Sequence, residues 1–470
     1  MSALFQGLDI CGILNRFAVM RKNGRLISGD SRQQQEALQN ITAADCVRLR
    51  VWSEERSISV IMKNHAEVTL ELMELLDRDG RLKRLVEKSI ALAEKENPDH
   101  GTNPVRSLDE FYDYIDFTLT AMPWTFLPEE RYERFVTKVD QSCLYIYFLL
   151  DRPLKELEGE LEFRPSVQFL EPIYVWLRHY NNALKQFLDT EESWKPEYYE
   201  MLYKDPSWHL DQGWFEDPSN WHTFNQFFSR RLKNADESRP LAGAKDDSVV
   251  AAPGDSLPQG TWEIDEKGRF FSPDVTDEHG VVIKTSTFYS VEKLLGEAGA
   301  PYAKHFYGGT LTHTFFNFDD YHRAHCPVSG TVIATYVIKN PNAVGGITTW
   351  EPDRQMYVLE SCFAGWQAYE TRGCVLIETD KYGLVAVFTV GQGQVSSVHF
   401  AEGVVPGAKI KKGDELGYFL FGGSDCAMLF EKKAGFELTC PPAPSDDTYA
   451  NGYAKVLCRA QYGVFHGEQG

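Results

Sequence analysis

The sequence has no long apolar run and no ordered set of cysteines. No stretch approaches the ~20 consecutive apolar residues that a membrane-spanning helix needs. Asp9 and Arg16 interrupt the first 20 residues, where a signal peptide would have an unbroken apolar core. The nine cysteines are irregularly spaced and form no Cys-x-x-Cys motif, so we expect reduced thiols and no disulfide framework. These absences predict a soluble, cytoplasmic protein without a transmembrane segment.

Positive charge is also scarce. Lysine and arginine number 48 against 68 aspartates and glutamates, which gives a formal net charge of −20. Such a surface repels phosphate backbones and anionic headgroups alike. Nucleic acid is therefore not an expected partner, and an electrostatic membrane anchor, which needs clustered lysine and arginine, is disfavoured.

The first half of the chain has helical periodicity, from about residue 30 to residue 190. Leu82, Leu85, Val86 and Ala93 fall on one face of a helix. Ser107 and Glu110 form a capping box at the start of another. We predict a helical N-terminal domain over residues 1–215, with no chemistry that we can name.

A short amphipathic helix is expected at Thr223–Leu232, just beyond this domain. Its phenylalanines form an inner face, and Arg230 and Arg231 lie outside. For the two arginines, a solvated basic tip and a binding role are equally good interpretations.

The second half consists of short β-branched and aromatic runs punctuated by glycine, which is typical of antiparallel sheet. Candidate strands are Val249–Ala252, Gly280–Ile283, Gly309–Phe315, Gly330–Val337, Gly373–Thr379, Leu384–Val390 and a strand from Phe419 to Ser424. A helical insert at Tyr289–Gly296 has Ser290 as its N-cap and Gly296 just past its end. The predicted fold class is α+β, with a mainly antiparallel domain over residues 216–470.

Four residues in this half can carry chemistry together. Ser424 follows two glycines, whose lack of a Cβ lets another group approach the backbone next to the serine closely. His322 and His325 are three residues apart, on one face of a predicted turn, and Asp255 ends a Pro-Gly-Asp turn. A metal site would need further Cys or His ligands that the sequence does not provide, so we expect no metal. An acid–base set of aspartate, histidine and serine fits better. A serine hydrolase is a weaker alternative, because Gly-x-Ser-x-Gly is absent.

The order of motifs over about residues 220 to 440 resembles the pyruvoyl-dependent phosphatidylserine decarboxylase family. The matching stretches are Phe224–Lys233 with Arg239-Pro240, Ala252–Asp255, Tyr289–Gly296, Asp320–Gly330 and Lys412–Ser424. The resemblance implies that the chain cleaves itself between Gly423 and Ser424, through attack of the serine on the carbonyl of Gly423. His325, oriented by Asp255, would take the proton.

The same resemblance implies the cofactor. Ser424 would become a pyruvoyl group at the head of residues 424–470, which stay associated with residues 1–423. The pyruvoyl ketone would form a Schiff base with the amine of the substrate and take up electrons during decarboxylation, as pyridoxal phosphate does elsewhere. His322 resembles the family histidine that acts in the decarboxylation stage.

The substrate is open between two classes. The large helical region before residue 220 is similar to a soluble fungal branch that decarboxylates L-tryptophan, and no apolar anchor like that of the membrane-bound members is seen. An aromatic L-amino acid such as L-tryptophan is therefore favoured, with phosphatidylserine as the alternative. A third interpretation, from another class, is a non-catalytic β-rich binding module, because turns such as Lys412-Gly-Asp-Glu415 resemble those of lipoyl-type domains.

Overall fold

The fold is that of a computed structural model, which describes residues 65–125, 140–272, 289–340, 344–393, 398–444 and 452–467 and, outside these ranges, the backbone of several short strands. The chain divides into two compact units, Met1–Leu75 and Leu76–Gly470. The helices are α1 (Glu67–Arg78), α2 (Gly80–Glu96), α3 (Leu108–Thr118), α4 (Asp140–Leu150), α5 (Glu171–Leu188), α6 (Pro196–Tyr203), α7 (Phe224–Phe228), α8 (Ala235–Ser238) and α9 (Val291–Gly299). In the described part of the chain, no helix is both long and apolar enough to cross a membrane.

The described strands of the first unit form one antiparallel sheet. They are β1 (Val19–Lys22), β2 (Arg25–Ile27), β3 (Val47–Trp52) and β4 (Ser57–Met62), in the order β2-β1-β3-β4. Our prediction of helix from residue 30 onward is therefore wrong at β3 and β4. The sequence of β3 alternates apolar residues with Arg48 and Arg50, a period of two that fits a strand.

Helix α3 begins where the sequence predicts, whereas the helix expected at Thr223–Leu232 is shorter and spans Phe224–Phe228. Ser107 Oγ accepts a hydrogen bond from the backbone N–H of Glu110 at the start of α3. The carboxylate of Glu110 reaches back to the N–H of Arg106, one residue earlier than a standard capping box. The predicted face of α2 is buried, and α4 is buried on all sides because every residue from Cys143 to Leu150 is apolar or aromatic.

The second unit also contains many short strands. They are β5 (Val249–Ala251), β6 (Leu257–Glu263), β7 (Arg269–Ser272), β8 (Val275–Thr276), β9 (Val282–Ile283), β10 (Thr287–Ser290), β11 (Thr310–Phe316), β12 (Arg323–His325), β13 (Gly330–Ile338), β14 (Ile347–Glu351), β15 (Met356–Glu360), β16 (Thr371–Glu378), β17 (Leu384–Gln392), β18 (Val398–Phe400), β19 (Lys409–Ile410), β20 (Glu415–Phe419), β21 (Gly423–Phe430), β22 (Phe436–Leu438) and β23 (Gln461–Phe465). The α+β class is confirmed.

The largest sheet has seven strands in the order β19-β13-β16-β17-β21-β11-β6. All of its pairings are antiparallel, and β21 lies between β17 and β11. One face packs against α9 and the turn at Trp366, and the other against β5, β20 and β23. Both faces of the central strands are therefore buried, which explains their near-continuous apolar sequences.

Helix α4 contacts the β hairpin β14-β15 directly. Gln141 on α4 donates to the carbonyl of Tyr357 over 2.9 Å and accepts from its N–H over 2.8 Å, as a neighbouring strand would. The phenol of Tyr357 donates to the carbonyl of Thr102. Helical and β regions thus share one compact unit, and the domain boundary at residues 215 and 216 stays a prediction.

Candidate active site

Ser424 is buried in the middle of the large sheet. It is the second residue of β21 and pairs with Phe316 on β11 and Gly391 on β17. The strand that we expected from Phe419 to Ser424 is in fact interrupted, because β20 ends at Phe419 and β21 begins at Gly423. Gly422 lies in this connection with a φ of +136°, which a residue with a side chain rarely adopts. The first glycine thus makes the turn, and the second precedes the serine within the strand.

The two histidines face different neighbours. The prediction that they share one face is wrong, because the chain is extended at His325, in β12, and side chains in extended chain alternate between sides. Nδ1 of His322 lies 3.3 Å from Oγ of Ser424. His325 instead contacts the carbonyl of Gly413 through Nδ1, at 2.9 Å, and the phenol of Tyr321 through Nε2, at 3.1 Å. The structure therefore brings His322, and not His325, to the serine.

His322 is held as a neutral base. Its Nε2 lies 3.3 Å from the carbonyl of Phe318, so this nitrogen carries the proton and Nδ1 has a free lone pair toward Ser424. The ring of Phe228 stacks on the imidazole with centroids 3.9 Å apart. Burial, aided by the positive charge of Arg230, lowers the pKa of His322 to about 3. The imidazole is therefore uncharged at neutral pH.

Arg230 is fully buried, so the prediction that it lies outside its helix is wrong. Its guanidinium lies 4.5 Å from the ring centroid of Phe215 and donates to the carbonyls of Asp319 and Asp320 over 3.0 Å each. These carbonyls belong to the turn that precedes His322, so Arg230 fixes the backbone that carries the base. Its neighbour Arg231 is exposed, as expected.

Asp255 is buried and paired with Arg239. Its carboxylate accepts from Nε and Nη2 of Arg239 over 2.8 and 2.6 Å, and from the backbone N–H of Cys458 over 2.8 Å. No hydrogen bond joins it to His325, although both residues lie in the described part of the chain. Its negative charge acts on His325 only at longer range, and burial lowers the pKa of that histidine.

His325 borders a surface cavity of about 310 Å³ that it shares with Tyr321, Arg231, Glu415 and Arg459. The cavity links this histidine to solvent, whereas His322 and Ser424 have no exposed surface.

Asp425, the residue after the serine, faces the other side of the sheet. Its Oδ2 lies 2.8 Å from Nδ1 of His313 on β11, and both side chains are completely buried. Burial raises the pKa of the Asp425 carboxyl, and the adjacent imidazole opposes that rise. His313 could not be predicted from the sequence, because a lone histidine in a strand pattern gives no signal of its partner.

The described residues thus place a buried serine, preceded by two glycines, at the start of a central strand and beside a neutral histidine. The model of one family, described as phosphatidylserine decarboxylase, matches residues 224–444, a range that includes Asp255, both histidines and the Gly423–Ser424 bond. This part of the chain therefore matches the phosphatidylserine decarboxylase family, as the resemblance predicted.

Curated relatives carry two different activities in their names. The chain is 32% identical over 234 residues to phosphatidylserine decarboxylase proenzyme 2 of Oryza sativa subsp. japonica, a match that covers 50% of this chain and 33% of the relative. It is 28% identical over 227 residues to L-tryptophan decarboxylase of Psilocybe cubensis, covering 46% and 48%. A phosphatidylserine decarboxylase proenzyme of Fusobacterium nucleatum is 27% identical over 224 residues, covering 47% and 65%. The matched stretch therefore spans between a third and two thirds of these relatives.

Proposed function

We propose that this protein is a decarboxylase that cleaves itself between Gly423 and Ser424 and uses the resulting pyruvoyl group. The observation that carries the proposal is the 3.3 Å contact between Nδ1 of neutral His322 and Oγ of Ser424. A nucleophilic hydroxyl beside an unprotonated imidazole is the arrangement that activates serine for attack on a carbonyl. The family match over residues 224–444 supports the same reaction class.

The first step moves the acyl group of Gly423 from nitrogen to oxygen. Nδ1 of His322 takes the proton of the Ser424 hydroxyl while Oγ bonds to the carbonyl carbon of Gly423. The C–N bond then breaks, the proton passes to the departing nitrogen, and an ester joins Gly423 to Ser424. A base with a pKa of about 3 takes this proton only transiently, but the reaction has to occur once in each chain.

The second step releases the ester. Loss of the Cα proton of Ser424 expels the carboxylate of Gly423 and leaves a dehydroalanine, which water hydrolyses with release of ammonia. The larger chain then ends at Gly423, and residue 424 begins the smaller chain as a pyruvoyl group.

The surroundings of Ser424 fit this group. A ketone needs no charged partner. Ser424 pairs with Phe316 on the neighbouring strand, and the unprotonated nitrogen of His322 is its polar neighbour. When bound, the pyruvoyl group supplies an electrophilic ketone that can accept the electron pair left by CO₂. His322 would lie beside that ketone, where Nδ1, once it has taken up a proton, would pass that proton to the product carbon.

An aromatic L-amino acid such as L-tryptophan is the substrate that we favour. Phe228, Phe316 and Phe419 contact the ring of His322, and Phe421 packs against Phe228 and Phe318 beside them. Such a lining suits an aromatic ring, and one relative is named L-tryptophan decarboxylase. Phosphatidylserine is the second candidate, favoured by the 32% identity to the rice proenzyme.

Intact mass measurement tests the self-cleavage. We expect the purified protein to give two fragments, residues 1–423 and a pyruvoyl-headed 424–470, and Ser424→Ala to give one uncleaved chain. Ser256→Ala is a matched control, because Ser256 is also buried but lies outside this contact. An uncleaved, inactive wild type would instead support a non-catalytic β-rich binding module.

The substrate is tested on the cleaved protein. Release of CO₂ and formation of tryptamine from L-tryptophan would support the amino acid. Turnover of phosphatidylserine liposomes without turnover of any free amino acid would assign the lipid.

A further inference from the structure

The turn that precedes His322 is closed twice by one residue, Asp320. The backbone N–H of Asp320 donates to the carbonyl of Asn317 over 3.0 Å, and Oδ2 of Asp320 accepts from the N–H of Asn317 over 2.8 Å. Phe318 lies inside this turn, and its carbonyl is the one that faces Nε2 of His322. Asp320 therefore fixes the acceptor that decides which nitrogen of the base carries the proton.

The other carboxylate oxygen of Asp320 contacts the C-terminal part of the chain. Oδ1 forms an ion pair with Nζ of Lys455, and 1% of the Asp320 side chain is exposed against 32% of the Lys455 side chain. Burial lowers the pKa of Lys455, but the carboxylates of Asp320 and Asp319 outweigh burial and raise it, so the ammonium is charged at neutral pH. Cleavage at Gly423–Ser424 would place Lys455 on the smaller fragment and Asp320 on the larger one.

Asp320 depends on this cation to stay ionised. Burial raises the pKa of its carboxyl to about 7, Lys455 opposes the rise, and nearby carboxylates add to it. The charged or titratable groups around the pair are Arg230, Asp319, Asp255 and His209. Burial lowers the pKa of His209, so this imidazole is neutral near pH 7. The Asp320 carboxyl is therefore the group of this cluster that changes charge near neutral pH.

We propose that Lys455 is a positioning residue for His322, acting through Asp320 and the turn that holds Nε2 of the imidazole. This inference rests on the proposed function, in which His322 is the base. An ionised carboxylate accepts the N–H of Asn317 more strongly than a protonated carboxyl does, so it holds the turn closed. The turn then keeps the proton on Nε2 and leaves Nδ1 to the serine hydroxyl. The smaller fragment would thus supply the cation that orients the base of the larger fragment.

The pH dependence of self-cleavage tests this link. Chains made by cell-free synthesis are transferred to buffers from pH 6 to pH 9, and the half-time of fragment formation is measured. The wild-type rate should rise with pH around a midpoint of about 7, where Asp320 loses its proton. Because an adjacent opposite charge lowers the pKa of a carboxyl by about 1–3 units, the midpoint in Lys455→Met should move up by about 1–3 pH units. The rate at pH 7 should then fall by about fivefold or more.

Three further variants separate positioning from a loss of structure. Lys455→Arg keeps the cation and should keep the wild-type midpoint. Asp320→Asn keeps an acceptor for the turn but has no proton to lose in this range, so its rate should show no midpoint near pH 7. Lys432→Met is the matched control. Lys432 also lies on the smaller fragment and pairs with Glu266 of the larger one, but both side chains are mostly exposed, so its profile should match the wild type.

NMR of the uncleaved Ser424→Ala chain gives a second readout that needs no cleavage. With isotopically labelled histidine, and with the His322 signals identified by their loss in His322→Gln, the imidazole should be the Nε2–H tautomer. Lys455→Met should add the Nδ1–H tautomer at pH 7. An unchanged tautomer in Lys455→Met overturns the positioning role whether or not the chain cleaves itself, and so does an unchanged pH midpoint in a wild type that is cleaved. A wild type that is never cleaved overturns the proposed function, and the tautomer then decides the positioning role by itself.

Discussion

The ion pair between Asp255 and Arg239 provides a quantitative test of what this aspartate does. Both side chains are buried, at 3% and 0% exposure, and two hydrogen bonds of 2.8 and 2.6 Å join them. Removing one partner leaves a buried charge uncompensated, which costs about 3–5 kcal/mol. We therefore expect Asp255→Leu and Arg239→Met each to destabilise the protein by that amount.

The double variant should recover most of the loss. With both charges replaced by apolar side chains, the hydrogen bonds that remain missing are those from the N–H of Cys458 and to the carbonyl of Ser238. The stability of the double variant should therefore lie within about 2 kcal/mol of the parent. Urea unfolding of the three variants in a Ser424→Ala background, which keeps one uncleaved chain, gives the free energies. Losses that simply add in the double variant would refute the pairing.

Cleavage of the same variants in a chain that keeps Ser424 separates two roles for Asp255. Because no hydrogen bond joins Asp255 to His325 in the described structure, we expect cleavage to follow stability and to return in the double variant. A stable double variant that no longer cleaves would mean that Asp255 acts on the chemistry, as the family resemblance implies.

Three further predictions concern the residues around Ser424. His322→Gln should slow self-cleavage by about 10²–10⁴-fold, because it removes the base. The rate is measured as the half-time of fragment formation after cell-free synthesis. A larger loss of rate in His325→Gln would indicate that His325, and not His322, takes the proton. The pKa of His322 is about 3 in the folded protein and 6.5 in the unfolded chain, so its contribution to the free energy of unfolding is complete above pH 6.5 and falls by about 1.4 kcal/mol per pH unit as the pH drops toward 3. Urea titrations at pH 4 to 7 in the Ser424→Ala background should show this slope. The same slope in a variant that also carries His322→Gln would contradict the assignment to His322. Gly422→Ala should lower the free energy of unfolding by about 1–3 kcal/mol and slow cleavage, because a φ of +136° is strained for alanine. Gly403→Ala is the control. An added Cβ there meets no atom within 4 Å, so neither stability nor cleavage rate should change.

Local patterns predicted the elements better than the site. Ser107 and Ser290 cap their helices as expected, because a cap depends only on residues within one turn. The fate of Arg230 was not predictable, since its burial depends on aromatic rings and on carbonyls some 90 residues away in sequence. The side chains of His322 and His325 point in different directions because the chain is extended at His325. A spacing of three residues does not reveal whether the chain is helical or extended. His313 and Arg239 were missed for the same reason: each becomes significant only through a partner on another element.

The position of the proposed cleavage site, Gly423–Ser424, within the sheet has a consequence for refolding of the protein. The bond joins the first two residues of β21, which has neighbours on both sides. Residues after the bond also supply β23, which is flanked by β5 and β22. A cut at Gly423–Ser424 would leave the pairings of residues 425–430 and of β23 intact while turning one molecule into two. Folding would then have been unimolecular, but refolding after denaturation would need two chains to meet and would depend on concentration. The cleaved protein would therefore refold less readily than the uncleaved chain folds.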